Sequence, residues 1–527
     1  MPVTFLQAAG GAILLRYAIV LSQAGPKLIL THAWTASILI ALALWLTDRS
    51  LLYPNLRSPL RAFPRVPATN VMAERPRGKT PLNWFRQFPD ADAVVMREPL
   101  GRMILFPTSP EALRDIMSTN SYHWEKNPGI RAFLGRVIGF GLIMAEGEDH
   151  KKQRKALTPA FNIRHIRALG PLMADKTQVL VEQLEKEGGV VEFSHWASRL
   201  TLDIIGPAAL SREFGTLTSD DDPVAEAFGE LLDPSPELIT FMVSNMFLPQ
   251  WFATRLPVKA NRLIRVHCSK LRTLCRTILN EKHDGLKQAE EGAEDDILKN
   301  IVQSGQFTDE EVIDQMLTFL AAGHETTASA LTWSMYLLAL HKDVQARLRA
   351  EVRGSGEVES MPILNGVCEE VFRLYPTVPL TIRQSMCDTI VAGIGVPKGT
   401  VALIVPYAIN RHPKHWNGVK TSSADEKSPG LSEKLDCEEF WPERWLMDGR
   451  INKHGGTNSN FCETTFLHGP RSCIGKDFAK AELKYAIAGL VAKLDIDIAD
   501  PEREVIAGGT VTTKPIGGLN LRMKKVA

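Results

Sequence analysis

This chain of 527 residues has almost no net charge, few cysteines and no visible internal repeat. The 61 Lys and Arg nearly balance the 60 Asp and Glu, so the net charge is +1. That balance argues against a nucleic-acid-binding protein, which depends on excess positive charge. The seven cysteines lie between Cys268 and Cys473. An odd number in so long a chain does not fit a secreted disulfide framework, so we expect a reduced, cytosol-facing protein.

Charge is also missing from one stretch near the start. Residues 28–46 contain no Asp, Glu, Lys or Arg, and His32 is their one titratable residue. At about 1.5 Å per residue this stretch is long enough to cross a bilayer core, and Trp34 and Trp45 lie towards its ends. The pattern predicts a membrane anchor region at 1–48. A buried core helix or a cleaved signal peptide are the alternatives, but no small-residue cleavage site follows.

Two further segments complete the domain organisation. The earlier apolar stretch 3–22 is interrupted by Arg16, which predicts a weak or interfacial helix. Residues 49–70 contain four Arg and four Pro, typical of a stiff, basic tether on the cytoplasmic side of a span. The remainder, 71–527, is predicted to form one large domain.

That domain has mainly helical periodicity. Apolar residues recur at spacings of three and four in four long segments: 164–187, 258–285, 308–341 and 477–494. Short strand-like runs lie between Gly and Pro turns: Ala93–Met96, Met103–Phe106, Val401–Val405 and Thr510–Thr513. Two polar stretches, 288–296 and 417–439, are predicted to be surface segments. The predicted fold class is therefore mainly α with small β-sheets.

The segment 466–475 carries the strongest chemical signal. Cys473 directly precedes a predicted helix, whose free N–H groups and positive dipole end stabilise a thiolate. Gly475 allows a bulky planar group to approach the backbone. Arg471 adds a planar cation suited to gripping a carboxylate. The alternative is an ordinary buried cysteine at a helix start.

This segment, Phe-Leu-His-Gly-Pro-Arg-Ser-Cys-Ile-Gly, resembles the cysteine-loop signature of the cytochrome P450 family at every fixed position. The resemblance implies haem b, with Cys473 as the thiolate ligand of the iron. It also implies that Phe466, Arg471 and Gly475 contact the cofactor. It covers the chain from about residue 75 to the end, and it implies the cytochrome P450 fold for 71–527.

A second motif lies inside the apolar segment 308–341. Residues 322–327, Ala-Gly-His-Glu-Thr-Thr, are predicted to break this helix with a polar, weakened turn. They resemble the family's oxygen-side motif, which implies that Thr326 hydrogen-bonds dioxygen, that Glu325 supplies protons and that Gly323 makes room for oxygen. A solvent-facing polar stripe is the alternative. His324 occupies a variable motif position and is not predicted to be a ligand.

Charged residues elsewhere resemble the family's structural and haem-binding positions. Glu370 and Arg373, with Arg444 downstream, are similar to a buried triad that locks the fold. Arg383 and Arg154 are similar to the arginines that reach the haem propionates, and His150 replaces the aromatic residue usual four positions before the second arginine. Three lysines on the helix of Arg154 form either a solvated face or a dock for an acidic electron donor; they are Lys151, Lys152 and Lys155.

Together these resemblances imply a monooxygenase that puts one oxygen atom into a lipophilic small molecule of secondary metabolism. The pocket segments implied are 133–140, 378–382 and 511–512. Electrons would come from NADPH through a separate reductase, with cytochrome b5 as a further partner, because the chain has no Gly-rich dinucleotide motif. The endoplasmic-reticulum membrane is the expected location, with the haem domain facing the cytosol. A haem-thiolate isomerase or dehydratase and a non-catalytic haem-binding membrane protein are the alternatives.

Overall fold

The computed structural model describes residues 26–98, 101–219, 259–288, 296–419, 434–447, 449–509 and 511–526. The predicted interfacial stretch 3–22 and most of the polar segments 288–296 and 417–439 lie outside these residues. Among the described residues, no helix is both long enough and apolar enough to cross a membrane.

Helices form most of the described chain. In chain order the α-helices are α1 (Pro26–Thr47), α2 (Lys79–Gln87), α3 (Pro110–Arg114), α4 (Pro128–Ile138), α5 (Gly147–Leu157), α6 (Ile163–Ala168), α7 (Gly170–Glu187), α8 (Phe193–Leu210), α9 (Lys259–Gln288), α10 (Ile297–Gln303), α11 (Asp309–Leu340), α12 (Lys342–Val352), α13 (Pro362–Leu374), α14 (Pro406–Ile409), α15 (Pro413–Trp416) and α16 (Lys476–Lys493). Short 3₁₀ and π turns connect several of them.

The strands are short and form small sheets. They are β1 (Arg65–Val66), β2 (Ala93–Arg97), β3 (Met103–Pro107), β4 (Trp124–Glu125), β5 (Val190–Glu192), β6 (Thr381–Ser385), β7 (Thr389–Val391), β8 (Ile394–Val396), β9 (Val401–Ile404), β10 (Gly418–Val419), β11 (Lys434–Leu435), β12 (Leu446–Met447), β13 (Arg450–Ile451), β14 (Leu494–Ile498), β15 (Ala507–Gly508), β16 (Lys514–Pro515) and β17 (Asn520–Lys525). The largest sheet has the order β1-β2-β3-β9-β6-β4, and a second has the order β14-β17-β5. The predicted class, mainly α with small sheets, is confirmed.

Helix α11 is the centre of the helical layer. Its first turn is closed by a capping box, in which the Thr308 side chain accepts from the Glu311 N–H and the Glu311 carboxylate accepts from the Thr308 N–H. Its side chains are buried nearly all round, as expected of a helix covered on every side. It packs against α8, α9, α13 and α16. The helix runs unbroken through residues 322–327, so the predicted break there is wrong.

Two hydrophobic cores flank the site described below. One lies among α7, α8, α11, α13 and α16, and the other lies under the six-stranded sheet. The predicted tether 49–70 joins the second core, because Leu60, Phe63 and Val66 are buried there. The apolar residues between its prolines therefore fold onto the domain, and only part of the segment remains available as a linker.

Two local predictions need correction. The segment 164–187 forms two helices that meet at Leu169, because Pro171 has no N–H to continue a helix and instead begins a new one. Residues 511–513 are not a strand; they lie in the connection between β15 and β16. The carbonyl of Thr513 accepts hydrogen bonds from Ser329 and Trp333 of α11 instead of pairing with a strand.

Candidate active site

The loop of Cys473 enters α16 in a tightly fixed conformation. The backbone N–H of Cys473 donates to the carbonyl oxygen of Phe466 at 2.8 Å, which closes the loop. Gly469 has φ +70°, and a Cβ there would collide with the carbonyl of Met117. By contrast, a Cβ on Gly475 would meet no atom within 4 Å. The loop thus leaves open space beside its cysteine.

Cys473 itself is accessible in this loop. It is exposed, whereas the cysteines on α9 and α13 are buried. Desolvation by the surrounding protein raises the pKa of the Cys473 thiol above its ordinary value, and the N–H of Gly475 and the charges of Arg154 and Lys476 partly oppose this rise. The groups that lower the pKa are those that favour a thiolate at a helix start.

Two of the predicted arginines share a cavity. Arg383 of β6 and Arg471 of the cysteine loop border it together with His468 and four apolar side chains. Arg383 is buried, with 7% of the residue exposed, and the side chain of Arg471 is also 7% exposed. Among the described residues, Nε and Nη2 of Arg471 have no hydrogen-bond partner. Buried guanidinium nitrogens without partners are costly, so they point to an anionic ligand.

Two residues that the sequence did not single out lie beside these arginines. The Glu146 carboxylate forms an ion pair with Arg471, and it accepts from the backbone N–H of Lys126 at 2.9 Å. The Lys126 ammonium lies 3.6 Å from the same carboxylate. Glu146 is the N-cap residue of α5, but its side chain forms no cap hydrogen bond. In the sequence, the only sign of Glu146 was its position as a possible N-cap residue before the helix that carries Arg154.

The other predicted cofactor residues lie on α5. Nη1 of Arg154 donates to the carbonyl of Ser472 at 2.6 Å, next to Cys473. His150 is buried, and its Nδ1 lies 3.2 Å from the Tyr122 hydroxyl. Burial and the charges of Arg471 and Lys126 lower the pKa of His150 to about 4. His150 is therefore neutral at pH 7.

The oxygen-side motif lies in the middle of α11. The Thr326 hydroxyl is half-buried and donates to the Ala322 carbonyl at 2.6 Å. The Glu325 carboxylate is buried and forms a 2.7 Å ion pair with Lys514, whose side chain is 41% exposed. The sequence did not reveal Lys514, because it reaches Glu325 from a strand near the end of the chain. This pair connects a buried carboxylate to the surface.

Two motif residues face α8 instead. Nε2 of His324 lies 2.7 Å from the Ser198 hydroxyl. A Cβ on Gly323 would lie 2.9 Å from Cδ1 of Ile205. The close approach of α8 thus favours glycine at this position, and the role of making room for oxygen stays a prediction.

The three charged residues predicted as a triad are in contact. Glu370 accepts from Nε and Nη2 of Arg373 at 2.8 and 2.7 Å, and from Nε of Arg444 at 2.9 Å. It also accepts from the Trp441 N–H and the Trp445 indole. Burial would raise the pKa of the Glu370 carboxyl, but Arg373 and Arg444 hold it at about 2. The carboxylate is thus fully paired, although it has no contact with solvent.

Three apolar side chains from the implied pocket segments are not packed into either core. Phe140, Val378 and Val511 have exposures of 49%, 36% and 37%. Phe133 at the start of the first segment is buried. The three segments therefore each offer apolar surface that a lipophilic molecule could cover.

Comparison with known proteins gives one result. A family model described as Cytochrome P450 matches residues 64–419 and 435–518. The Aspergillus fumigatus protein named cytochrome P450 monooxygenase sphH is 35% identical over 499 residues, which is 88% of each chain. The Gibberella moniliformis protein named cytochrome P450 monooxygenase FUM15 is 32% identical, with 98% of this chain and 95% of that one covered. The crystal structure of the cytochrome P450DA heme domain superposes with a TM-score of 0.70 at 20% identity, covering 88% of this chain and 98% of that one.

Proposed function

The chain belongs to the cytochrome P450 family and is a monooxygenase, and from this premise we propose that it oxidises a lipophilic compound of secondary metabolism. The reaction inserts one atom of dioxygen into the substrate and reduces the other to water. The observation that carries the proposal is the open space over Gly475 near the exposed Cys473, in the same loop as Arg471. Arg471 lines a cavity with Arg383, and two of its guanidinium nitrogens have no partner among the described residues.

The residues of this space fit a haem. Cys473 would hold the iron through its thiolate, and the partnerless nitrogens of Arg471, with Arg383, would hold propionates. The space over Gly475 suits a planar ring close to the backbone. When bound, a thiolate-ligated haem supplies the chemistry that cleaves the O–O bond.

The side chains of α11 would supply protons to this reaction. Glu325 is held at 2.7 Å by Lys514, which is partly exposed, so a proton can pass from solvent to the buried carboxylate. The Thr326 hydroxyl donates to Ala322 and presents its lone pairs away from that bond. We propose that Glu325 carries the proton inward and that Thr326 Oγ1 positions it.

The exposed apolar side chains of the implied pocket segments indicate the class of substrate. Phe140, Val378 and Val511 are exposed apolar side chains on three segments implied to line the pocket. Covering them with a hydrocarbon portion of a substrate stabilises the complex by about 25 cal/mol per Å² of apolar surface. A lipophilic molecule is therefore favoured over a charged one.

Electron supply and location complete the proposal. Cytochromes P450 take electrons from a redox partner, and we propose NADPH–cytochrome P450 reductase for this chain, with cytochrome b5 as a second donor. The exposed lysines Lys151, Lys152 and Lys155 on α5 suit an acidic partner.

We also propose that region 1–48 anchors the protein in the endoplasmic-reticulum membrane with its domain in the cytosol. The uncharged stretch 28–46 and the arginines after it support this location.

Oxygen labelling tests the activity. A strain lacking the gene is profiled for a compound that accumulates, and this compound is given to the purified protein with reductase, NADPH and ¹⁸O₂. We expect product that contains one labelled atom and depends on NADPH. Product formed without NADPH would instead indicate the isomerase or dehydratase. Haem binding without any turnover would indicate the non-catalytic alternative.

A second measurement tests the location. We compare membrane and soluble fractions for the full chain and for a variant without residues 1–48. The truncated protein is expected to shift towards the soluble fraction. An unchanged distribution would contradict the anchor.

A further inference from the structure

Glu482 is a buried acid that the mechanism above does not use. It lies in the second turn of α16, the helix that follows Cys473, and it is 1% exposed. Phe478 and Ala486, one turn before and one turn after it, are buried in the helical core. Neither carboxyl oxygen of Glu482 has a hydrogen-bond partner among the described residues. A polar group thus occupies an apolar face of α16, which is costly unless the group can bond there.

Thr327 of α11 is the polar side chain that approaches Glu482. It is 3% exposed, and its hydroxyl donates to the carbonyl oxygen of Gly323 at 2.5 Å. A hydroxyl has one hydrogen, so Thr327 can offer Glu482 only its lone pairs. An ionised carboxylate only accepts hydrogen bonds and has no use for lone pairs. A protonated carboxyl can donate to them, so the geometry favours the neutral form of Glu482.

The charges around Glu482 are engaged elsewhere. Helices α6, α7, α11, α12 and α13 pack against α16. The ionisable side chains buried on these five helices are His165, His324, Glu325, Cys368, Glu370 and Arg373. Glu325 pairs with Lys514, Glu370 pairs with Arg373, and Lys480 of α16 itself pairs with Glu369 of α13. Burial raises the pKa of Glu482 well above its ordinary value of 4.5, and Thr327 opposes this rise only in part.

We propose that Glu482 is a neutral carboxylic acid in the folded protein, that its O–H donates to the hydroxyl oxygen of Thr327, and that it thereby acts as a positioning residue for the turn 323–327 of α11. The bond joins the helix of Cys473 to the turn that holds Thr326, because the Thr327 hydroxyl itself donates to that turn. The protonation of Glu482 stands apart from catalysis. Its effect on catalysis rests on the role of Thr326 proposed above.

Infrared spectroscopy of the purified holoprotein tests the protonation. The variant is Glu482→Gln, which keeps the size of the side chain and a hydrogen-bond donor. Glu310→Gln is the control, because Glu310 is 60% exposed on α11 and pairs with Arg272 and Arg276. At neutral pH the wild type is expected to show the C=O stretching band of a protonated carboxyl, and this band should shift in D₂O. Glu482→Gln should lose the band and Glu310→Gln should keep it. Identical spectra for the wild type and Glu482→Gln overturn the proposal.

The pH dependence of stability gives a second test. Because the pKa of Glu482 is raised in the folded state, the unfolded state releases this proton at a lower pH than the folded state does. The folding constant of the wild type should therefore fall relative to that of Glu482→Gln above about pH 4.5, by about tenfold per pH unit until the folded state also ionises. Urea denaturation of both proteins over this range measures the ratio. A ratio that does not change with pH overturns the neutral state of Glu482.

The coupling of NADPH consumption to product formation tests the positioning role. Glu482→Met has a similar size but no donor, so Thr327 and its turn lose their link to α16. The share of reducing equivalents lost as peroxide is expected to rise about fivefold, the factor that corresponds to one neutral hydrogen bond. Glu482→Gln should retain wild-type coupling, because its amide N–H can donate to Thr327. Equal coupling in the Met and Gln variants overturns the positioning role. A wild-type protein without turnover would refute the proposed function instead, while the infrared and denaturation results still decide the protonation of Glu482.

Discussion

Two buried charged clusters lie in this molecule, and they differ in how well their charges are paired. Around Glu370 the carboxylate accepts five hydrogen bonds and every guanidinium nitrogen of Arg373 donates, while Nη2 of Arg444 has no partner among the described residues. Around Arg383 and Arg471, one carboxylate faces three cations, and two guanidinium nitrogens have no partner among the described residues. The side chains around Glu370 are at most 3% exposed, and those around Glu146 are at most 17% exposed.

This difference distinguishes a charged cluster that stabilises the fold from one that is suited to binding a ligand. A buried carboxylate is tolerated when its partners are complete, so Glu370 can hold α13 against the turn at Pro442–Trp445 without a ligand. An incomplete cluster raises the energy of the protein until an anion completes it.

The largest expected effect comes from breaking the paired cluster. Glu370→Gln removes the counter-charge of Arg373 and Arg444 and is expected to lower the free energy of unfolding by about 3–5 kcal/mol. Urea denaturation of the purified proteins measures it. Asp343→Asn is the control, because Asp343 forms an exposed pair with Arg347 at 3.5 Å and should cost less than about 1 kcal/mol. Similar losses for the two variants would remove the contrast.

Lowering the pH tests the pairing of Glu370 in a second way. Arg373 and Arg444 hold the pKa of Glu370 at about 2, below its ordinary value of 4.5. The folded state therefore binds this proton less readily than the unfolded state does. The stabilisation is complete above about pH 4.5 and is lost as the pH falls towards 2. The stability difference between wild type and Glu370→Gln should shrink over this window, and a constant difference would contradict the pairing.

The under-paired cluster should respond in the opposite way. Arg383→Met removes one of the unbalanced cations, so the haem-free protein is expected to stay within about 1 kcal/mol of the wild type or to become more stable. Haem retention should nevertheless fall about tenfold, because a propionate partner is lost. Denaturation of the haem-free protein measures the change in stability, and transfer of haem to an acceptor protein measures the change in haem retention. A loss of stability as large as that of Glu370→Gln would show that both clusters are structural.

The smallest effect on stability is expected in α11. Thr326→Ala touches neither charged cluster, so the free energy of unfolding should change by about 1 kcal/mol or less and haem should be retained. Reducing equivalents should instead go to peroxide rather than to product, because the hydroxyl that positions the proton is gone. The ratio of product to NADPH consumed, with peroxide measured in parallel, checks this. Wild-type coupling would contradict the role of Thr326.

Sequence reasoning found the residues that lie in local motifs. Cys473, Gly469 and Arg471 lie within ten residues, and Thr326 and Glu325 are neighbours on one helix. Their chemistry depends on short spacing, which a sequence displays directly. The helix break at 322–327 was wrong because the threonine hydroxyls bond to carbonyls one turn back while the backbone ladder continues.

The residues missed are those that depend on distant pairing. Lys126 reaches the cavity through the register of β4 with β6, and Lys514 reaches Glu325 from the strand after the turn at Gly509. Glu146 has the position of a helix cap but turns its carboxylate inward. No local pattern reveals such partners, because they are chosen by the packing of the whole domain.

The central claim is that haem binds through the Cys473 thiolate in this site, and the ferrous–CO spectrum tests it most directly. The wild-type protein is expected to give the thiolate-type Soret band. Cys473→Ala should lose that band while its haem-free form remains as stable as the wild type, since the Glu370 cluster is untouched. An unchanged thiolate-type band in Cys473→Ala would contradict the account.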